Sequence, residues 1–300
     1  MSKFNHLYSP FSIVEAVNRK VCISKNALSD YYYYAAKSYC NSLKSQIFRG
    51  IVFDYDLTLH NKHQFTETEE DLFTILNMCL ANNIQVGIAT GNGEYIAKDI
   101  RSKIHQTYWG NVIMGYYNGG FIIPLDCNIT FSNVHTEIPG DFEKTIMFLS
   151  NSIPKGKICA DGIEQKNPFQ LNFYSDEDDG EFYIGLLKEF ILGHTDLKIL
   201  HSPHSFDVVP PWISKLNVCT YMCSIGLAPQ EIITIGDSGH VGGNDYELLN
   251  WIYSLSVNSV SDSPNNCWNF SPQNIQDLDA TLFYLQRLRY NGNGSFTFDI

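Results

Sequence analysis

The stretch IVFDYDLTLH, residues 51–60, restricts what this chain can fold into more than any other segment. Ile51, Val52 and Phe53 form an apolar run of the kind that a parallel sheet buries on both faces, and the run stops abruptly on an acid, Asp54. In an open α/β sheet, the ground outside the carboxyl ends of the strands is where ligands bind. Asp56 follows two residues later and Thr58 two beyond that. Two carboxylates this close repel unless a cation or a shared proton offsets them. The pair therefore points to a metal site, an acid/base pair or both.

The elements that follow decide the architecture. Thr66, with Glu69 three residues on, has the form of a capping box, and Leu72, Ile75, Leu76, Cys79 and Leu80 continue at helical spacing. The strand expected at 84–89 also ends on a polar signal, Thr90-Gly91-Asn92. A helix over 94–105 then leads to a strand over 111–117, closed by Asn118-Gly119-Gly120. Strand, helix, strand, helix, strand predicts an α/β fold with a doubly wound parallel sheet.

Between 124 and 205 the pattern changes. A helix from Asp141 precedes strands near 158–163 and 169–175, and a helix over 181–192 precedes strands near 197–202 and 205–209. An αββ unit used twice predicts an inserted α+β domain with an antiparallel sheet. The acidic run SDEDDGE between the two halves reads as a solvated loop and helix start. The expected division is a helical N-terminal extension over 1–46, a core over 47–123 and 206–300, and the insertion over 124–205.

Past Pro210-Pro211, a helix over 214–223 carries Lys215 in its first turn. A buried strand over 232–235 ends on GDSGHVGGND, which contains Asp237, Asn244 and Asp245. A strand over 251–257 and a tail helix over 273–289 follow. Ahead of the first strand, helices over 12–20 and 30–44 carry the tyrosine run 31–34, an extra layer or an oligomer contact.

Composition narrows the function class. With 300 residues and a formal charge of −12, the chain can bury a sizeable core and is a poor match for a nucleic-acid backbone. No apolar run approaches membrane-span length, so the expectation is a cytoplasmic protein without a membrane partner. The eight cysteines are scattered without a C-x-x-C pair and read as reduced, mostly buried thiols.

Asp54-x-Asp56-x-Thr58, Thr90, Lys215, and Asp237 with Asp245 each close a strand or open a helix, in that order. Here the chain resembles the haloacid-dehalogenase superfamily of phosphotransferases over about 51–257, through IVFDYDLTL, GIATGN, the lysine of PPWISKLN and IITIGDSGHVGGND. The αββαββ insertion resembles that family's C2-type cap, of the IIB subclass that includes Cof-like sugar phosphatases.

The resemblance implies that Asp54 is the nucleophile of an aspartyl-phosphate and Asp56 the general acid and base. Thr90, the Gly91 amide and Lys215 would bind the phosphoryl oxygens. Mg²⁺ would be held by Asp54, the Asp56 carbonyl and Asp237, with Thr58, Asn244 and Asp245 in support. A glycosyltransferase D-x-D would give no reason for Thr90, Lys215 and Asp237. A phosphatase of a small phosphorylated metabolite leads, with a phosphomutase and a non-catalytic phospho-ligand binder as alternatives. A homo-oligomer through the N-terminal extension is compatible with either.

Two departures stand out. Leu57 occupies a position where the family often has glycine, and His240-Val241-Gly242-Gly243 lengthen the fourth motif. His240 reads as a surface histidine, while Asn172, Tyr174 and His204 are candidates to face the substrate.

Overall fold

The computed structural model describes residues 11–24, 29–61, 66–133, 137–161, 167–176, 180–201 and 205–300. His204, residues 162–163 of an expected strand and residues 177–179 of the acidic run lie outside them. The chain divides into two compact units, Met1–Asn128 with Lys215–Val241 and Asp245–Ile300, and Ile129–Ser214 with Gly242–Asn244.

In the first unit, helices α1 (Ile13–Ile23) and α2 (Ser29–Ser45) precede β1 (Gly50–Asp54), α3 (Glu67–Ala81), β2 (Gln85–Ala89), α4 (Ala97–Lys103), β3 (Val112–Tyr116) and β4 (Phe121–Pro124). The second unit holds α5 (Gly140–Ser152), β5 (Cys159–Asp161), β6 (Leu171–Tyr174), α6 (Gly180–His194), β7 (Lys198–His201) and β8 (Phe206–Val209). The chain then completes the first unit with α7 (Asn217–Ser224), β9 (Ile232–Ser238), β10 (Tyr253–Ser259), α8 (Asp277–Leu285), β11 (Leu288–Tyr290) and β12 (Phe296–Phe298).

The main sheet has the order β10-β9-β1-β2-β3-β4. Its first five strands are parallel, and β4 runs antiparallel to β3. All of β1 and β9 is buried, as expected of central strands covered on both faces. Asp54 pairs with Ala89 and Phe53 with Ile235, so β1 and β2 end level and β9 runs past them to Ser238, carrying Asp237 alongside the end of β1. This register is what gathers the three polar strand ends. Glycine lets α7 lie close to the sheet, because a Cβ at Gly115 would stand 2.3 Å from a Val218 methyl and one at Gly87 2.7 Å.

In the second unit the sheet order is β5-β6-β8-β7, entirely antiparallel. Phe142, Phe173, Leu187, Ile191, Phe206 and Val208 form its core. The doubled αββ pattern is thus realised, but its limits differ from the expected ones. β4 pairs with β3 and stays with the parallel sheet, moving the departure from 123/124 to 128/129. β8 pairs with β6 and β7, so the return lies at 214/215 rather than 205/206.

The N-terminal helices are a layer of the first unit. Phe11 stacks on Phe270 at 5.3 Å, and the buried Lys20 ammonium donates to the carbonyls of Ser261 (2.8 Å) and Asn266 (2.9 Å). The Tyr39 hydroxyl donates to the Ser254 carbonyl and accepts from the Ser254 amide. That contact, with the Ser256 amide donating to the Trp268 carbonyl, covers the outer edge of β10. Of the tyrosine run, Tyr32 is buried and donates to the Asp262 carbonyl, while Tyr31, Tyr33 and Tyr34 are exposed. Among the described residues, no helix is long and apolar enough to cross a membrane.

Candidate active site

The ends of β1 and β2 and the last residues of β9 build the site around one buried ammonium. Lys215 precedes α7, two residues before its first residue rather than inside its first turn, and its side chain is 1% exposed. Its Nζ donates to Asp54 Oδ1 at 2.5 Å and to Asp245 Oδ1 at 2.7 Å. The other oxygen of Asp245 accepts from the backbone amides of Asp237 (3.0 Å) and Ser238 (3.2 Å). Gly236 makes that approach feasible, since a Cβ there would lie 2.8 Å from Asp245 Oδ2. Asp245 therefore orients the lysine and closes the β9 loop at once.

Burial sets the proton affinities. It raises the Asp54 carboxyl to about 7, with the Asp245 charge adding and Lys215 opposing. Asp237 is raised to about 9 by burial, then by the Asp245 and Asp54 charges. For Asp245, burial acts upward, but Lys215 and the hydrogen bonds outweigh it and hold the carboxyl below its ordinary value. Burial disfavours the Lys215 ammonium, yet Asp245 and Asp54 outweigh that and raise its pKa.

Thr58, fully buried, donates to Asp54 Oδ2 at 3.4 Å. Leu57 reaches the turn that delivers it with φ +60°, and its amide donates to the His60 carbonyl at 2.8 Å. The left-handed turn is thus kept without glycine, at a strain of roughly 1–2 kcal/mol. Leu57→Asn, a residue that tolerates this region, is expected to raise stability by about 0.5–1 kcal/mol, and the β-branched Leu57→Val to lower it by about 1–2 kcal/mol. Urea unfolding of the two variants checks the opposite signs.

A second group fastens the same loop from outside. Glu69 amide donates to Thr66 Oγ1 at 3.2 Å, but the Glu69 side chain does not reach back to complete a capping box. It turns inward, fully buried, to His60 Nδ1 (2.9 Å) and Lys103 Nζ (2.6 Å). Lys103 also contacts Asp99, which accepts from the Tyr55 hydroxyl at 2.6 Å. His60, Glu69 and Asp99 lie close enough to share an ion, but the Lys103 ammonium already bridges two of them.

Thr90, one residue past β2, is buried and receives two hydrogen bonds on Oγ1, from the Asn92 amide (3.0 Å) and from Asn92 Nδ2 (3.1 Å). Asn92 Nδ2 also donates to Asp56 Oδ2 at 2.9 Å. Asn92 closed a strand in the sequence without any sign of a role, because one polar residue in a turn has no period to mark it. Asn244, counted with the second unit, has a buried Oδ1 without a hydrogen-bond partner among the described residues. His240 is exposed and meets Ser259 Oγ at 3.1 Å. Asn172 donates to Ser205 and Asp207 within the second unit's sheet.

No protein-family model matches the sequence, and neither does any curated protein. Solved structures do. A Plasmodium vivax protein classed as a HAD/COF-like hydrolase superposes with a TM-score of 0.62 at 15% identity, covering 83% of this chain and 97% of that one. The haloacid-dehalogenase (HAD) fold is therefore the fold of this chain. The sucrose-phosphatase of Synechocystis, solved with sucrose and phosphate, matches at 0.52 and 15%, over 69% of this chain and 82% of its own. The IMP-nucleotidase of Plasmodium falciparum, solved with IMP, matches at 0.52 and 14%, over 90% and 78%.

Within this HAD fold the residues present suit a hard divalent cation. Asp54, Asp237 and Asp245 place carboxylate oxygens within 4.8 Å of one another, all three buried. Among the described residues the ammonium bonded to them is that of Lys215, and burial raises the Asp54 and Asp237 carboxyls to about 7 and 9. Buried carboxylates in excess of their counter-charge, with oxygen as the donor atom, match the preference of Mg²⁺-like ions.

Proposed function

We propose that the protein is a Mg²⁺-dependent phosphatase of a small phosphorylated metabolite, working through an aspartyl-phosphate on Asp54. The observation that carries this reading is the Lys215 ammonium shared between Asp54 and Asp245 at the end of the central strand, with Asp237 beside it. That arrangement supplies a nucleophile, fixed positive charge and an oxygen cage, which a phosphate monoester needs.

Asp54, the Asp56 carbonyl and Asp237 would hold the metal, with Asp245 in support. Bound there, Mg²⁺ neutralises carboxylate charge so that an anionic phosphate can approach. An Asp54 carboxylate oxygen attacks phosphorus as the bond to the leaving oxygen breaks. Asp56 gives that oxygen its proton, releasing an alcohol. A water then gives a proton to Asp56 and bonds to phosphorus, the bond to Asp54 breaks, and inorganic phosphate leaves with both residues restored.

Lys215, Thr90 and the Gly91 amide bind the phosphoryl oxygens in both steps. The two neighbours that act on sucrose phosphate and IMP fit a substrate that is a small phosphorylated metabolite, and the charge of −12 is in keeping with that over a polynucleotide. The test is phosphate release from a panel of sugar phosphates, nucleoside monophosphates and other phosphorylated metabolites, with and without Mg²⁺. Release that needs the metal is the expected result; no release from any member by folded, Mg²⁺-loaded protein would sink the proposal.

Metal binding is expected to be pH-dependent with a definite sign. Asp54 and Asp237 are raised from 3.8 to about 7 and 9, so without metal their contribution to stability is present at low pH and is lost as pH rises through those values. Mg²⁺ takes the ionised forms and displaces the protons. The stabilisation by a fixed Mg²⁺ concentration should therefore grow from pH 5.5 to pH 8.5. Thermal melts with and without the metal read it directly, and a shift of equal size at both pH values would contradict it.

A further inference from the structure

We infer that Ser259, which lies just beyond the stretch resembling the HAD motifs, is the positioning residue for Asp237 and holds this acid in place for a divalent cation where the fourth motif is lengthened. The inference rests on the metal site of the phosphatase reading above. It begins with the backbone of Asp237. The Asp237 amide donates to Asp245 Oδ2 at 3.0 Å, and the Asp237 carbonyl accepts from Ser259 Oγ at 3.0 Å. Side chains from two separate segments thus grip both backbone polar groups of one residue. A carbonyl can only accept, so the hydrogen of the Ser259 hydroxyl is committed to Asp237.

A β-bulge brings Ser259 to this position. Along the β9–β10 pair, Ser256 stands opposite Gly236 and Ser259 opposite Ser238, so β10 takes three steps where β9 takes two. A regular ladder would put Asn258 there instead. Bulges of this kind re-aim a side chain beside an active site. Ser256 closes the bulge on itself, because its hydroxyl donates to the Ser259 carbonyl at 2.6 Å and accepts from the Asn258 amide at 3.2 Å. Ser259 is thus fixed by its own strand before it acts on the next.

The backbone of Ser259 takes hold a second time, beyond Ser238. The Gly239 amide donates to the Ser259 carbonyl at 3.2 Å. A Cβ at Gly239 would stand 2.8 Å from that oxygen and 2.3 Å from Cys267 Sγ, so glycine is what lets the chain lie this close. Between the two holds, the Ser238 hydroxyl donates to Asp237 Oδ2 at 3.2 Å. The added residues, His240 to Gly243, begin only after this clasp. A longer loop has more conformations open to it, and fixing its root at Asp237 and Gly239 keeps that freedom from reaching the metal-binding acid.

Removing a group that orients a metal ligand costs roughly 10–100-fold in metal affinity. Ser259→Ala takes away the hydroxyl and leaves the carbonyl, so it should raise the apparent Kd for Mg²⁺ by about 10-fold, read from the melting temperature against Mg²⁺ concentration at pH 8. Ser259→Thr keeps the hydroxyl and should stay within about 2-fold of wild type. A lesion of packing alone would lower the metal-free melting temperature and leave Kd where it was. An unchanged Kd in Ser259→Ala therefore overturns the inference, as does a threonine variant as weak as the alanine one. His240→Ala is the control: His240 Nδ1 lies 3.1 Å from the same hydroxyl, but the residue is exposed and neither hold needs it, so Kd should stay near wild type. A shift as large as that of Ser259→Ala would place the effect in the loop's packing and overturn the inference too. If Ser259→Ala does not fold, Ser259→Cys, a weaker donor of similar shape, carries the test with an expected rise of about 3-fold. A wild type that binds no Mg²⁺ would refute the phosphatase reading and this inference with it, whereas wild-type binding with an unmoved Ser259→Ala refutes the inference alone.

Discussion

Asp54→Asn is expected to abolish metal-dependent phosphate release, by on the order of 10⁴-fold or more, while the protein stays folded. The substitution keeps the shape of the side chain and removes the oxygen that would bond to phosphorus. Its fold is protected by the surrounding geometry. The amide oxygen can still accept from Lys215, the amide hydrogens face Thr58 Oγ1 at the distance of the present contact, and Lys215 keeps Asp245. Because burial raises Asp54 to about 7, ionising it costs stability above that pH, and the neutral amide avoids this. The metal-free variant should therefore melt no lower than wild type at pH 8. Substantial residual turnover in a well-folded variant would place the nucleophile elsewhere.

How much of this was legible depended on whether the signal was local. The uninterrupted apolar runs of β1 and β9 and the polar residues ending them marked the sheet centre correctly, because a strand covered on both faces has no alternation to misread. β4 has no counterpart among the expected strands, for the opposite reason. In the sequence Asn118-Gly119-Gly120 only closes the strand before it, whereas the left-handed backbone from Tyr117 to Gly119 turns the chain back so that Phe121–Pro124 pairs with β3. The tail was read as one long helix over 273–289, but α8 stops at Leu285 and β11 pairs with β12 around the Asn291–Ser295 turn. Three-residue strands whose partner contact is Phe48, far away in sequence, leave little periodic trace.

Residue type and order singled out Asp54, Thr90, Lys215 and Asp237 with Asp245 as candidates, and the fold brings Asp54, Asp237 and Asp245 together around the Lys215 ammonium. The double engagement of Asp245, with the lysine and with two backbone amides, needed the fold. Glu69 shows how tertiary charge overrides local preference: the capping-box spacing is present, yet Lys103 and His60 draw the carboxylate inward. Leu57 is the reverse case, where a local rule asking for glycine is broken and the turn survives.

The largest stability effect is expected from Lys215→Met. Methionine fills the space of the aliphatic stem but leaves Asp54 and Asp245 buried beside each other without the ammonium. Removing one partner of a buried ion pair costs about 3–5 kcal/mol, because the remaining charge is uncompensated. For a chain of this size that corresponds to a fall in melting temperature on the order of 10 °C. The loss should be smaller at pH 5 than at pH 8, since Asp54 can take a proton there, and Mg²⁺ should recover part of it. Activity should be lost at every pH, because Thr90 and the Gly91 amide then face the transferring phosphoryl oxygens without the one fixed positive charge. Adding Asp245→Asn to Lys215→Met separates the two roles. The double variant removes the carboxylate most dependent on the lysine, so its stability should recover by 1 kcal/mol or more, a coupling of the size seen for contacting residues. Its activity should not return. Recovery of both together would make the lysine a structural counter-ion alone, and recovery of neither would mean that Asp245 acts mainly by closing the β9 loop through the amides of Asp237 and Ser238.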